Sequence, residues 1–328
     1  MTEPGNAGKN DRPMLTIVTA TFNLRSAGRE KRFHQCMESV HSQGCVDRIE
    51  HVIADGASTD GTAALLHEYA DRGYCRVVSK RDHSVYEGMN NGLAEARGKY
   101  VLFLNSDDFL FNTEGLGAAL DELEASGADY CFGDVRVLND DDSFASVWQG
   151  STGGLPFAHN YCHQSMIVKT EVLRCLGGFD LRYRVSSDSD LMMRLYHDGN
   201  PFIHSTSMFV CYRLGGLSTG QGDGSQRDHA DVFYRYFGKD CGLTPEQCMH
   251  IWHFRAIEDG LEDMALDILV KLPEFEWRAW WLTHMKLKAE ERRLAARPVL
   301  RKIWDKWREQ GVGGVFKAMK KRMGRRRS

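Results

Sequence analysis

The fold is decided by the stretch Tyr100-Val101-Leu102-Phe103-Leu104-Asn105-Ser106-Asp107-Asp108. Its apolar half is short, follows Gly98 closely and is therefore typical of a buried strand. Its acidic half places two carboxylates where that strand ends, and ligands of α/β proteins usually bind at this edge of the sheet. Carboxylate oxygens suit a hard divalent cation such as Mg2+ or Mn2+. The alternative interpretation is a pair of Asp residues that caps a following helix.

Apolar, β-branched segments on both sides of this strand alternate with segments of helical spacing. We expect strands at 14–20, 50–54, 74–79 and 99–104, and helices at 29–42, 62–71, 86–96 and 113–126. Strands that alternate with helices form a mostly parallel sheet with helices on both faces, so we predict an α/β, Rossmann-like fold. After Cys131 Gly-rich turns separate short apolar segments, which predicts mixed strands. From Asp228 onward the pattern predicts helices.

The composition divides the chain of 328 residues into three parts. We expect a disordered, polar lead-in at 1–13, an α/β domain at 14–225 that ends in a mobile Gly/Ser-rich loop, and a helical, basic, amphipathic extension at 226–328. The lead-in lacks the apolar region of a secretory signal. The sequence contains no run of about 18 apolar residues, so we expect no membrane-spanning helix. The nine cysteines form no CxxC pair, which excludes zinc-ribbon spacing and favours a reduced, cytosolic compartment.

The net charge of −3 conceals an asymmetry between the body and the C-terminal segment. Residues 271–328 contain 18 Lys and Arg but only 6 Asp and Glu, and Trp residues recur among them at 277, 280, 281, 304 and 307. Trp together with Lys and Arg on amphipathic helices is typical of a lipid interface with anionic headgroups. The alternatives are a solvated helix packed on the body and a nucleic-acid-binding tail. We expect an anionic membrane surface and no nucleic acid.

A second acidic position follows the expected second strand and precedes a helix. The carboxylate of Asp55 is placed there to accept a hydrogen bond from a base edge or a ribose hydroxyl, and Gly56 lets a ligand approach the backbone. Thr19 and Thr21, at the end of the first strand, are expected to line the same pocket. The alternative interpretation is a plain strand-to-helix turn with Asp60 or Thr62 as the helix cap.

Five segments, taken in order, resemble the family-2 glycosyltransferases of GT-A fold, of the type that builds bacterial envelope polysaccharides. They are Thr19-Ala20-Thr21-Phe22-Asn23, the turn from Asp55 to Thr62, the helix start from Tyr86 to Gly92, Asn105-Ser106-Asp107-Asp108, and Gly177-Gly178-Phe179-Asp180 with Ser187-Asp188-Ser189-Asp190-Leu191. Each segment alone is common, but their order and spacing are specific. The resemblance covers about two thirds of the chain and implies an inverting enzyme of hexosyltransferase type.

The resemblance also implies a role for individual residues. Asp108 is the implied ligand of Mn2+ or Mg2+, and Asp188 is the implied base that takes the proton of the acceptor hydroxyl. The implied nucleotide-sugar contacts are Thr19, Thr21, Asn23, Asp55, Asp82, Asn90, Asp107, His163 and Arg213.

Alternatives from the residues themselves stay open for several of these positions. Asp188 and Asp190 both suit a helix N-terminus, and Asp190 is placed to pair with Arg194 at i+4. Asn90 suits packing on a helix surface, and His163 suits a structural hydrogen bond. Arg213, expected to clamp the diphosphate, precedes a Gly pair that also suits a simple turn.

We therefore expect a cytosolic, membrane-peripheral, metal-dependent glycosyltransferase. Its donor is expected to be a UDP-sugar, and its acceptor a hydroxyl of a lipid-linked or polysaccharide molecule. One rival is a sugar nucleotidyltransferase, which usually needs a Gly-rich, basic triphosphate loop near the first strand, and residues 19–25 do not form one. The other rival is an inactive nucleotide-binding scaffold of the same fold, and the presence of Asp108 and Asp188 argues against it.

Overall fold

The computed structural model describes residues 12–152, 161–215, 222–251, 262–272 and 278–295. Most of the expected lead-in, the start of the expected mobile loop, Trp277, Trp304, Trp307 and the basic C-terminal run lie outside these ranges. The strands are β1 (Leu15–Thr21), β2 (Ile49–Asp55), β3 (Arg76–Ser79), β4 (Tyr100–Phe103), β5 (Phe109–Leu110), β6 (Tyr130–Phe132), β7 (Val135–Leu138), β8 (Phe144–Trp148), β9 (Ile167–Lys169), β10 (Phe202–His204) and β11 (Val210–Arg213). The α-helices are α1 (Glu30–His41), α2 (Thr62–Asp71), α3 (Val85–Glu95), α4 (Gly115–Ser126), α5 (Thr170–Cys175), α6 (Ser187–His197), α7 (Gly222–Phe233), α8 (Pro245–Ile251), α9 (Glu262–Lys271) and α10 (Arg278–Ala295).

The described strands form a large sheet and a small one. The large sheet has the order β10-β6-β9-β4-β1-β2-β3, and β1 is parallel to both β2 and β4. β9 is inserted between β4 and β6 and runs antiparallel to both. The mostly parallel sheet with helices between its first strands confirms the α/β fold predicted from the sequence.

Successive residues of β1 point to opposite faces of the large sheet, and helices cover both faces. Ile17 packs in the cluster that contains Leu120 of α4, while Val18 packs in the cluster that contains Leu93 of α3. The side chains of these four residues are buried. Because helices cover both faces, the side chains of β1 are buried along nearly its whole length, including those of Thr16 and Thr19.

Three strands of the large sheet continue directly into the small one. β4 leads into β5, β6 into β7 and β10 into β11, and the small sheet has the order β5-β11-β7-β8. The acidic pair Asp107-Asp108 lies in the first of these crossings, immediately before β5. The two carboxylates are therefore placed at the boundary between the sheets.

The helices after residue 222 pack against the same hydrophobic cluster as α6. Phe233 of α7, Ile268 of α9 and Met285 of α10 are buried in the cluster that contains Leu191. Across the described ranges, no helix combines the length and the apolar composition needed to span a bilayer. The nine cysteines form no disulfide bond with one another.

Candidate active site

A cavity of about 930 Å³ lies at the carboxyl ends of β1 and β4. This volume is within the range of natural small-ligand pockets. The end of β1, the start of α3, the acidic pair, the turn before β9 and the start of α6 all contribute to its wall. Four carboxylates line it, and they belong to Asp82, Asp107, Asp108 and Asp188.

Asp108 is buried and hydrogen-bonded on both carboxylate oxygens. Its Oδ1 accepts from the backbone amide of Arg213 at 2.8 Å, and its Oδ2 accepts from Asn105 Nδ2 and Gln164 Nε2, both at 3.1 Å. Burial raises the pKa of the Asp108 carboxyl, the negative charge of Asp107 raises it further, and the three hydrogen bonds oppose that shift. The anionic form is thus costly unless a positive charge lies nearby.

The acidic pair suits a divalent cation that is completed by substrate. Among the described residues, no group of three or more His, Cys, Asp or Glu side chains is close enough to bind a metal alone. Mg2+ and Mn2+ at phosphate sites commonly take one or two carboxylates, with phosphate and water oxygens as the remaining ligands. A cation beside Asp108 would also offset the cost of its buried charge, so these residues fit the metal.

Arg213 lines the cavity, and its side chain is hydrogen-bonded to protein groups. Its Nη2 donates to Gln35 Oε1 at 2.6 Å, its Nε donates to Asp142 Oδ1 at 2.6 Å, and its Nη1 donates to the carbonyl of Asp107. Only 1% of this side chain is exposed, and its guanidinium lies over the ring of Phe109. The diphosphate clamp expected from the sequence stays a prediction, because in this structure these N–H groups are directed to protein oxygens. In this structure Arg213 supports the acidic pair from behind.

Asp188 lies in the first turn of α6 and lines the same cavity. Its Oδ1 is 3.0 Å from the hydroxyl of Tyr86, and its Oδ2 is 3.2 Å from His163 Nδ1. One fifth of the side chain is exposed, so a substrate hydroxyl has access to the carboxylate. Tyr86 and His163 both line the cavity with it.

Asp190, two residues later, is a structural partner. Its Oδ2 accepts from Arg194 Nε at 2.8 Å, and its Oδ1 accepts from the hydroxyl of Tyr236 at 3.0 Å. Arg194 also donates to the carbonyl oxygens of Leu176 and Gly178. The i,i+4 pair expected from the sequence is therefore present, and it leaves Asp188 as the accessible carboxylate of the two.

Three of the expected contact residues lie behind the cavity wall. Thr19 Oγ1 is 3.0 Å from His51 Nε2, and Asp55 accepts from the backbone amide and the hydroxyl of Ser58. Asn90 both donates to and accepts from the backbone of Phe179, each at 2.8 Å. Thr19, Asp55 and Asn90 do not line the cavity, so in this structure they shape its wall.

Like Arg213, the remaining expected residues line the cavity: Thr21, Asn23, Asp82, Asp107 and His163. Asn23 has a left-handed backbone with φ of 48°, and its Oδ1 accepts from the amide of Thr59 at 2.9 Å. Partial burial raises the pKa of Asp82, as do the charges of Glu87 and Asp55.

Sequence reasoning gave no site role to Phe22 and Tyr86, which line the cavity. Phe22 is 57% exposed there. Both stand inside motifs already quoted, but nothing in one sequence separates a residue that faces the cavity from its neighbours. Gln164, which follows His163, lines the cavity as well.

Comparison with known proteins shows the family of the chain. The family model described as Glycosyl transferase family 2 matches residues 16–172. A PGL/p-HBAD biosynthesis glycosyltransferase of Mycobacterium bovis is 31% identical over 215 residues, which is 63% of this chain and 79% of the relative.

Solved structures share the fold at low sequence identity. The S. aureus TarS fragment in complex with UDP-GlcNAc superposes with a TM-score of 0.57 and 16% identity, covering 89% of this chain and 91% of that one. The mannosyltransferase PcManGT from Pyrobaculum calidifontis, in complex with GDP-Man and Mn2+, gives a TM-score of 0.51 and 16% identity over 92% and 89% of the two chains. The chain has a mostly parallel sheet and C-terminal helices, and the mycobacterial relative is 31% identical over 79% of that relative's length. The chain therefore belongs to glycosyltransferase family 2 and is a GT-A enzyme of hexosyltransferase type.

Proposed function

We propose that this enzyme transfers a sugar, with inversion, from a UDP-sugar to a hydroxyl of a lipid-linked or polysaccharide acceptor. The observation that carries the proposal is the cavity itself, which is lined both by the acidic pair and by the accessible carboxylate of Asp188. A single-displacement transfer needs these two functions on opposite sides of the anomeric carbon.

Asp188 acts as the general base in this proposal. Its carboxylate accepts the proton of the acceptor hydroxyl while that oxygen attacks the anomeric carbon and the bond to the diphosphate breaks. The transition state has oxocarbenium character, as in glycoside hydrolysis. Tyr86 and His163 flank the two oxygens of Asp188 and orient them.

The acidic pair forms the leaving-group side of the site. Asp108, with Asp107 beside it, would hold Mn2+ or Mg2+, and the bound cation supplies positive charge for the departing diphosphate. Asp107 also faces the cavity with a partly exposed carboxylate that suits a ribose hydroxyl. The main-chain amide of Arg213 keeps Asp108 in place.

The nucleoside is proposed to bind at the end of β1. The exposed ring of Phe22 is suited to stack on a base, a contact that contributes about 1 to 3 kcal/mol per base. Of the similar structures, TarS is described with UDP and UDP-GlcNAc and PcManGT with GDP-Man. We propose uridine because TarS gives the higher TM-score.

We further propose that the enzyme works at the cytoplasmic face of a membrane through its C-terminal helices. On α10 Trp280 and Leu287 are seven residues apart, hence on one face, and are 57% and 55% exposed. Lys286 is exposed next to Leu287, whereas Arg292 and Arg293 pair with Glu262 and Asp263 of α9. The apolar pair with Lys286 is thus the part of α10 that suits a lipid surface.

Donor hydrolysis without acceptor tests the transferase proposal. We expect slow release of UDP from one member of a nucleotide-sugar panel with Mn2+ or Mg2+, and loss of that release with EDTA. The variant Asp108→Asn should reduce it by about 100-fold or more because the leaving diphosphate loses its support. The control Asp121→Asn changes an exposed carboxylate that pairs with Arg48 on the surface and should leave the rate unchanged.

The outcomes separate the candidate functions. Binding of UDP and Mn2+ without turnover of any donor, even when acceptor glycans are added, would favour the inactive scaffold. Absence of UDP binding would overturn the donor-site assignment.

Vesicle flotation tests the membrane proposal. We expect the protein to float with anionic but not with neutral vesicles, and the double variant Trp280→Ser/Leu287→Ser to lose this binding. The control Phe144→Ser should keep it, because Phe144 is equally exposed but lies on β8.

A further inference from the structure

The two reactive carboxylates are both contacted by one short turn. Residues His163–Ser165 form a single 3-10 turn directly before β9. His163 Nδ1 is 3.2 Å from Asp188 Oδ2, and Gln164 Nε2 donates to Asp108 Oδ2 at 3.1 Å. Two consecutive side chains of the turn therefore each contact one of the two carboxylates.

We propose that this turn sets the spacing between base and leaving-group side, with His163 as a positioning residue for Asp188 and Gln164 as a positioning residue for Asp108. The inference rests on the proposed function, because it assigns Asp188 the role of base.

The turn is anchored to the large sheet, so it is suited to fix distances. Gln164 and Ser165 are buried, and Ser165 Oγ lies 2.8 Å from the carbonyl oxygen of Gly133 and 2.9 Å from that of Cys162. The strand that follows, β9, lies between β4 and β6 in the middle of the sheet. A site supported from regular structure keeps its geometry better than one supported from a loop.

Each side chain has its orientation fixed by a neighbour. The thiol of Cys162 donates to Gln164 Oε1, which directs the amide NH2 of Gln164 to Asp108. His163 Nε2 has no hydrogen-bond partner among the described residues. The contact with Asp188 therefore determines the ring tautomer, with the proton on Nδ1 donated to the carboxylate.

His163 completes the set of groups around Asp188. Tyr86 of α3 contacts its other oxygen, His229 of α7 lies behind it through Ser189, and Asp228 lies near Tyr86. His163 contacts Oδ2 at 3.2 Å while Tyr86 contacts Oδ1, so the two side chains approach different oxygens of the carboxylate. His163 thus helps to set the direction of Oδ2.

The test compares His163→Ala with His163→Asn in steady-state transfer or donor hydrolysis. Asn places an amide NH2 where Nδ1 stands, so it keeps the donor to Asp188. We expect kcat to fall by about 10- to 100-fold in His163→Ala, since a hydrogen bond to a charged group contributes about 1.5 to 3 kcal/mol. His163→Asn should recover most of that loss, and the KM for the UDP-sugar should change by less than about threefold in both.

A pH profile separates positioning from a general structural role. Loss of a donor to the carboxylate disfavours its charged form, so the acidic limb of kcat should move to higher pH in His163→Ala and return in His163→Asn. The control is His204→Asn, which alters another His–Asp contact, with Asp134 at 2.8 Å, outside the cavity. It should leave both the rate and the acidic limb as in the unmodified enzyme.

Gln164→Met should give the complementary result. It keeps the volume but removes the donor to Asp108, so UDP binding in the presence of Mn2+, measured by titration calorimetry, should weaken by about 3- to 10-fold. The kcat at saturating donor should change less than in His163→Ala.

The inference is overturned if His163→Ala keeps its kcat and acidic limb, or if Asn rescues neither. It is also overturned if Gln164→Met lowers kcat alone. Failure of the unmodified enzyme to turn over any donor is a separate result, which overturns the proposed function and the inference that rests on it.

Discussion

Replacement of Arg213 by Met separates two possible roles of this residue. In the structure its guanidinium donates to Gln35, to the carbonyl of Asp107 and to Asp142, and it is almost entirely buried. A residue that supports the acidic pair from behind should stabilise the fold. A residue that clamps the diphosphate should instead affect ligand binding.

The contacts give the size of the expected effect. Two of the bonds join the buried cation to neutral oxygens, and each such bond contributes about 1.5 to 3 kcal/mol. The pair with Asp142 adds about 1 kcal/mol at most, because half of that carboxylate is exposed. Met avoids the cost of burying a charge, so we expect a net loss of about 2 to 4 kcal/mol in the free energy of unfolding.

Urea unfolding measures this loss, and calorimetry with UDP and Mn2+ measures ligand binding. The control is Arg32→Met, which removes an exposed pair with Asp140 in the same β7–β8 turn and should cost less than about 1 kcal/mol. UDP affinity of Arg213→Met should fall by less than about tenfold, because the bond to Asp108 comes from the main chain and remains. The reasoning is refuted if Arg213→Met unfolds within about 0.5 kcal/mol of the unmodified protein while UDP binding is abolished.

Three further predictions follow from other contacts. Asp188→Asn should lower kcat by about 100- to 10,000-fold with UDP affinity retained. Asp190→Asn should instead lower the melting temperature, because its buried bond to Arg194 weakens. Equal losses of kcat in both variants would contradict the assignment of Asp188 as the base. Burial, aided by His41, lowers the pKa of His51 from 6.5 to about 3. The unfolded chain therefore binds the proton first, and stability should fall by about 1.4 kcal/mol per pH unit below 6.5. Urea unfolding of His51→Gln between pH 7 and 5 should show a smaller decline, and parallel curves would refute this. Gly92→Ala would press a methyl group on Val18 and should lower the free energy of unfolding by about 1 to 3 kcal/mol. The control Gly117→Ala meets only ordinary contacts and should be neutral or stabilising. Denaturation midpoints that rank the two variants the other way would refute the packing argument.

The large sheet was predictable from the sequence because the residues that indicate each strand lie within that strand and directly after it. β1 and β4 are short segments of apolar and β-branched residues, β2 ends in Asp55 before a turn, and the acidic pair follows β4. The resemblance adds the order of the motifs, from which Asp108 and Asp188 are predicted to serve one site.

The partners of Arg213 and the position of β9 were not predictable in this way. Arg213 contacts Gln35, which is 178 residues away in the chain, and no periodic pattern records such a contact. Asp55 and Asn90, polar residues of two motifs, were expected to contact the ligand. In the structure their side chains accept from the backbone amides of Ser58 and Phe179, and the expected ligand contact stays a prediction.

The three crossings between the sheets have a consequence for how the site forms during folding. β11 lies between β5 and β7, so the small sheet has no continuous ladder until β11 is in place. The amide that binds Asp108 stands 105 residues further along the chain. Closing such a long loop costs entropy before any contact compensates for it, which makes this pairing a late step. During synthesis the acidic pair therefore leaves the ribosome well before the strand that completes its environment.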